Sequence, residues 1–255
     1  MSAAPFFIQP YRFDDLIADD RTTPVLDRDR SILLDDDEEV LWEGRVALAG
    51  YLIGHRSAQA ERRWTLPRKA DVVVTDRRLA YVCEDWDLRV AGSHPQRVPV
   101  GAAPVPPLRR RPALGSGVRI ATGQILWQWP CRLHMMPAPG PQGVLVVCDS
   151  MRSDRRPGLA LSGGDAGPEA EARNLAIVIR RAVARYRLAN PDVLEVSPRE
   201  RDTLRARAGQ ALFLDELADP LRGVGLPGAL PVEFVHRDDY YHPAPRAAWA
   251  GRKPS

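Results

Sequence analysis

Residues 71 to 84 read DVVVTDRRLAYVCE, and this stretch sets the class of the fold. Val72, Val73, Val74 and Thr75 are β-branched, a side-chain shape that packs well on a pleated strand. Asp76 and Arg77 supply a turn, and Arg78 to Cys83 lead back as a second strand. Asp-Arg lacks the glycine of the tightest hairpin turns, which leaves a longer or bulged loop open too. A hairpin of this kind predicts antiparallel sheet.

The segments on either side carry the same period. Upstream, Val40, Trp42, Val46 and Leu48 share one parity, while Glu43 and Arg45 take the other, as on a half-buried strand. Residues 50 to 69 are mixed and read as a strand with a long basic loop. Residues 91 to 113 hold Pro99, Pro104, Pro106, Pro107 and Pro112, which exclude a regular central strand and indicate an inserted loop. From Gln124 to Met136 the pattern predicts one strand, with Ile125, Trp127, Trp129, Cys131, Leu133 and Met135 on its apolar face. Pro130, on the other face, places that strand at an edge or marks a bulge. Val144 to Cys148 reads as a short buried strand, and Leu159 to Leu161 as a further candidate.

The period then changes from 2 to 3.6. Ala172, Leu175, Ala176, Ile179, Val183 and Tyr186 form one apolar stripe of a helix over residues 168 to 188. Pro168 suits its first turn. Glu169 and Glu171 near the start, with Arg180, Arg181, Arg185 and Arg187 near the end, complement the helix dipole. Ser197-Pro198-Arg199-Glu200 has the form of a capping box and opens a second helix to about Ala218. Leu230 to Val235 suggests a short strand, and the chain from His236 onward reads as a tail.

Composition bounds the function. A hydrophobic fraction of 44% suffices for a core, while 24 prolines and 19 glycines leave much of the chain to loops. Residues 1 to 43 hold twelve acids against four bases, a net charge of −8, so the remainder carries +11. Such asymmetry fits an acidic arm lying on a basic body, two surfaces with different partners, or a solvated acidic tail. The only lysines are Lys69 and Lys253. Arginine, alanine and proline usage points to a GC-rich genome, which weakens any case that each arginine was selected for its forked head. The opening residues lack the basic and apolar regions of a secretory leader, and no stretch approaches the ~20 apolar residues that cross a bilayer. Cys83, Cys131 and Cys148 are odd in number and widely spaced, unlike a disulfide framework. A cytoplasmic protein is expected, with no cofactor and no transmembrane segment.

Strands followed by one closing helix predict a small barrel, and at this point a family resemblance enters. The hairpin 71–82 resembles the "apolar strand, Thr-Asp-Arg-Arg-Leu, apolar strand" unit of bacterial pleckstrin-homology-like and GRAM-like domains. Residues 123–129, GQILWQW, are similar to their later Trp-bearing strand. The resemblance covers about residues 38 to 188. It implies a mainly β (α+β) fold: an antiparallel β-barrel or sandwich of about seven strands, capped by one C-terminal amphipathic helix. It leaves residues 1–37 as an acidic arm with one turn of helix, and 189–255 as a helical extension with a tail. It implies a non-catalytic binding or scaffolding module. Phosphoinositide-binding members use a basic motif between their first two strands; here that loop holds His55, Arg56, Arg62, Arg63, Arg68 and Lys69, without the lysine-x-arginine form.

Candidate sites divide between a sharp reading and a bland one. Arg109, Arg110 and Arg111, together with Arg56, Arg62, Arg63, Arg68 and Lys69, form a ligand-binding patch for phosphates or anionic lipid heads if the fold gathers both loops on one rim. The bland reading is a pair of solvated loops. Cys131 and His134 have zinc-like spacing, but on a strand they point to opposite faces and no second pair completes the ligand set. Residues 236–242, HRDDYYH, offer metal or partner contacts, against a solvated tail. Gly163 to Gly167 precede a helix without the lysine of a phosphate loop, and read as loop plus cap. Trp127 and Trp129 read as core rather than as a nucleic-acid stacking pair, and no recognition helix accompanies them. No nucleophile elbow, phosphate-binding loop or His-Glu-x-x-His pair is present.

These readings lead to a binding module for a protein partner or an anionic head group at the inner membrane face, with no nucleic-acid partner. The alternatives are a structural subunit docking through residues 236–249, and an uncharacterised enzyme.

Overall fold

A computed structural model of the chain describes residues 2–3, 6–10, 24–54, 59–66, 69–85, 89–90, 97–99, 119–136, 142–149, 155–192, 194, 196–209 and 223–236. Its elements in order are β1 (Ser2–Ala3), β2 (Phe6–Pro10), β3 (Val40–Gly54), β4 (Gln59–Thr65), β5 (Ala70–Thr75), β6 (Arg78–Asp85), β7 (Arg89–Val90) and β8 (Arg97–Pro99). There follow β9 (Arg119–Leu126), β10 (Pro130–Met136), β11 (Gly143–Cys148), β12 (Arg155–Ser162), α1 (Glu169–Ala189), α2 (Pro198–Ala208), β13 (Val224–Gly225) and β14 (Val232–His236). The class is α+β with antiparallel sheet dominant, as the period-2 segments require. The main sheet is open, and its run β9-β6-β5-β3-β12-β11-β10 is antiparallel throughout.

Strand β3 is the pivot of that run. Val40 to Val46 pair with β5, and Ala47 to Gly54 pair with β12. Val46 and Leu48 face the core at 0% and 1% exposure. Val40 does not, although its parity predicts burial. A register shift between Val40 and Trp42 turns Val40 outward and brings Leu41 as well as Trp42 against the core. β4 pairs with β3 on the side opposite β12, and β7, just before the proline-rich insert, and β8, within it, add to β4. Pro99 thus stands on an edge strand, where a missing N–H is tolerated.

The hairpin forms with Asp76-Arg77 as its turn, and Val74 pairs with Leu79. The single strand expected from Gln124 to Met136 is instead two, β9 and β10, joined by a tight corner. The Trp129 N–H donates to the Leu126 carbonyl at 3.0 Å, which closes a four-residue turn. Trp127 and Trp129 both point inward and are fully buried, so the alternation continues through the corner although the strand does not. Pro130 opens β10, and the register shifts between Pro130 and Arg132, as a bulge at that proline requires.

Helix α1 lies on the inner face. Leu175, Ile179 and Val183 are fully buried in the same cluster as Trp127 and Trp129, each contributing about 1.5–3 kcal/mol of burial. Pro168 sits one position earlier than expected, as N-cap with extended backbone (ψ 141). α2 starts on the expected capping box, with Ser197 and Glu200 bonded reciprocally, but ends at Ala208 rather than near Ala218. Its last turn stops at Gly209, the residue type with the lowest helix propensity after proline. Ala211, Leu212 and Leu217 of the expected stripe lie outside the described residues.

The segments near both ends also form strands, β1 and β13 on the main sheet and β2 with β14 as a separate two-stranded sheet. β13 pairs with β10, β14 pairs with β2, and β1 lies parallel on β9. The opening residues, read as an acidic arm, therefore contribute strands and no helical turn among those described. A pattern of five residues is too short to signal a strand without its partner.

One loop fixes the start of α1. Gly163 and Gly164 adopt φ of +61 and +60, and Asp165 then exchanges two hydrogen bonds with the backbone of Arg45, at 2.6 and 3.1 Å. A Cβ on Gly164 lies 2.0 Å from the Arg45 carbonyl oxygen, whereas one on Gly163 meets nothing within 4 Å. Gly163→Ala should cost about 1–2 kcal/mol, from backbone conformation alone. Gly164→Ala should cost at least about twice that, because backbone must move. Urea melts of the two variants give the comparison.

Candidate functional site

The hairpin turn anchors the acidic stretch that precedes β3. The Arg78 guanidinium donates to both oxygens of Glu38, Nε to Oε1 at 2.8 Å and Nη2 to Oε2 at 2.6 Å. Its remaining donors reach Gln124 Oε1 at 2.8 Å and the Leu33 carbonyl at 3.0 Å. The Thr75 hydroxyl donates to Glu38 Oε1 at 2.7 Å, and the Asp35 N–H donates to Oε2 at 3.0 Å. Arg77, one-third exposed, spans Asp35 and Asp37. Burial by itself raises the Glu38 pKa; the Arg78, Thr75 and Asp35 hydrogen bonds outweigh it and hold the carboxyl below its usual range. The polar letters of the Thr-Asp-Arg-Arg motif are thus consumed inside the molecule, as a dock for the acids at 35–38.

That dock holds residues 24–34 alongside the outer face of β3, β5 and β6. The stretch folds back on itself: the Asp27 carboxylate accepts from the Asp29 and Ser31 N–H groups, and the Leu33 N–H donates to the Val25 carbonyl. Between it and the sheet runs an open cleft of about 820 Å³. Ile32, Leu34, Val40, Val73 and Val82 give the cleft an apolar lining. Three bases, Arg30, Arg45 and Lys69, alternate with four acids, Asp29, Glu43, Asp71 and Asp165. Arg45 and Asp71 already pair across adjacent strands at 2.7 Å. Val40, which lines the cleft, is 41% exposed; Val25 and Leu33, in the stretch that precedes it, are 63% and 52% exposed, and these three are the large apolar side chains most open to solvent among the described residues.

Of the basic residues singled out in the sequence, Lys69 is exposed and lines this cleft. Arg62 stands opposite Tyr51 in the β3–β4 ladder, with Arg63 beside it on β4. Arg56, Arg68, Arg109, Arg110 and Arg111 lie outside the described residues, as do residues 237–242. No family model, curated protein or solved structure matches the chain. The chemistry of the site therefore rests on its own geometry.

That geometry engages several of the groups a reaction would need. Glu38 is locked to Arg78, Asp165 to the Arg45 backbone, and Glu200 to the Ser197 cap. Burial pushes the Cys131 thiol up to about 12 and Cys148 well above the usual range, opposite to the shift an activated thiol needs. His134 is buried. Among the described residues no three His, Cys, Asp or Glu side chains gather as a metal site, and no helix is long and apolar enough to cross a membrane.

Two decisive residues escaped the sequence pattern. Glu38 looks like one acid in an acidic run, and only the fold brings it to Arg78, forty residues away. Arg187 looks like a dipole-complementing cation at a helix end, yet it is 1% exposed. Its position four residues beyond Val183, on the apolar row, is the signal that marks it.

Because folding lowers the Glu38 pKa, its contribution to stability is full above the unfolded value near 4.5 and is lost as pH falls through the folded value. Glu38→Gln should cost about 3 kcal/mol at pH 7, since it leaves Arg78 buried without a counter-charge. The gap between wild type and variant should narrow steadily below pH 4.5. Thermal melts of both proteins from pH 7 to pH 3 test this.

Proposed function

We propose that the chain is a non-catalytic binding or scaffolding module of the pleckstrin-homology-like kind, and that it recognises a segment of another protein in the cleft beside residues 29–34. Two points support the module. The run β9-β6-β5-β3-β12-β11-β10 makes two antiparallel meanders that share the bent β3, and a helix follows on the inner face. That is the strand-then-helix order the hairpin motif implies for a small barrel with a plugging helix.

The observation that carries a protein partner is the charge and polarity of the cleft. A phosphate-bearing head group at Lys69 and Arg45 would also face Glu43, Asp71 and Asp165, whose like charge opposes it. A polypeptide meets both signs and covers the exposed Val40 beside Ile32 and Leu34. The acids at 35–38 reinforce this, since they neutralise Arg77 and Arg78 at the neighbouring turn.

Val40 is solvent-exposed, so Val40→Arg leaves folding intact while placing a charge on the apolar rim. The variant should recover a partner from native-host extract at least about tenfold less than wild type, after cross-linking and mass spectrometry. Equal recovery would remove the cleft as the binding surface. Flotation of the full chain on vesicles, rising with anionic lipid and falling with salt, would replace a protein partner by a lipid surface.

A further inference from the structure

We propose that the cleft beside residues 29–34 selects an extended segment of a partner protein carrying a single base two residues from an apolar side chain. The inference rests on the cleft being the binding surface, and adds the chemistry of the segment that fills it. Strand register fixes the floor of the cleft as a grid. On β5, Ala70, Val72 and Val74 point into the core at 1% exposure or less, so Lys69, Asp71 and Val73 share the outer face. On β3, Glu43 stands opposite Val73 and Arg45 opposite Asp71. On β6, Val82 stands opposite Asp71. Ile32 and Leu34 form the apolar part of the facing wall.

The charges of the lining divide into those already engaged and those left open. Arg45 pairs with Asp71 at 2.7 Å, the Arg45 N–H donates to the Asp165 carboxylate at 2.6 Å, and Arg30 is engaged as well. Glu43 and Lys69, both exposed on the floor, form no ion pair among the described residues, and neither does Asp29 on the wall. Two open acids thus stand against one open base. The charge that complements them is positive.

The grid says where that charge belongs. A lysine or arginine lying over the row of Glu43 and Val73 covers Val73 with its aliphatic stem while its head reaches the Glu43 carboxylate. On a segment extended along β5, the next side chain on the same face follows after about 7 Å. There it meets the Arg45–Asp71 pair and Val82, a row without an open charge, so an apolar residue forfeits no pairing. Two residues further stands Lys69, which repels a second base. The floor therefore accepts base-x-apolar, in either chain direction, and rejects a run of bases.

Reversal of the selected charge tests this. Fluorescently labelled full-length protein is sorted against a bead-bound library of acetylated, amidated peptides with five randomised residues between Gly-Ser flanks. The wild-type protein should enrich Lys or Arg two residues from an apolar residue by about fivefold, without a second base four residues from the first. Glu43→Lys should put an acid in place of that base, and Lys69→Glu should admit the second base. Both positions are exposed, so neither change disturbs the core. The second-base result is read independently, so a Glu43→Lys variant that binds nothing still leaves a deciding measurement. A base preference that survives Glu43→Lys, a second base still refused by Lys69→Glu, or enrichment blind to charge overturns the base-x-apolar form. If Val40→Arg still abolishes that enrichment, the cleft stands as the binding surface and only its chemistry is wrong. Enrichment that ignores Val40→Arg, or no enrichment at all, overturns the cleft and the form together.

Discussion

A single guanidinium holds the structure together where the sheet turns its corner. Arg187 donates from Nε to the Trp127 carbonyl at 3.0 Å, from Nη2 to the Pro130 carbonyl at 2.6 Å, and from Nη1 to the carbonyls of Leu226 and Pro227. The first two belong to the corner between β9 and β10, and the last two to the segment after β13. Turning the chain by a tight corner inside the core aims carbonyl groups inward, where each lacks a donor and costs about 1–3 kcal/mol if unpaired. One residue on α1 supplies the donors for these four carbonyls. Burial lowers the Arg187 pKa to about 10, so the group still carries its charge at neutral pH, solvated by carbonyl dipoles. With the corner and the segment 223–232 fixed to α1, Val224, Leu226 and Val232 complete the same core as Trp127 and Ile179.

The acidic stretch before β3 is the second internal clasp, and it redirects the functional reading. From charge alone, the arginines of the hairpin look like part of a basic surface. In the fold Arg78 is satisfied by Glu38, Gln124 and the Leu33 carbonyl, and Arg77 by Asp35 and Asp37. The basic excess of the body is thus partly cancelled where the acidic excess of the arm meets it. What remains open is a cleft of both signs with an apolar rim, a surface suited to polypeptide rather than to phosphate.

Much of this was legible in the sequence, and the parts that were not share a cause. The hairpin at 71–84, the stripe of α1 and the Ser197 capping box are local: propensity, period and cap chemistry all act within a few residues. The corner at 127–129 was hidden because both tryptophans face inward, so the period-2 pattern does not break where the backbone does. Val40 was misplaced by a bulge, which adds one residue without any mark in composition. The short strands β1, β2, β13 and β14 exist only through partners far away in the chain. For the candidate site, Lys69 was named from its basic neighbourhood, but the opposing Asp71 and Asp165 and the apolar rim came from tertiary packing alone.

The central claim is that Arg187 clasps the corner and the segment 223–232 into one body. Hydrogen exchange in an Arg187→Leu variant tests it most directly. The amides of Leu226, Leu230 and Val232 donate to the carbonyls of Cys131, Gln128 and Asp149, so they should be protected in the wild-type protein. In the variant these three should exchange orders of magnitude faster, while the amides of β5 and β6 keep their protection. Unchanged protection at Leu226 and Leu230 would contradict the account.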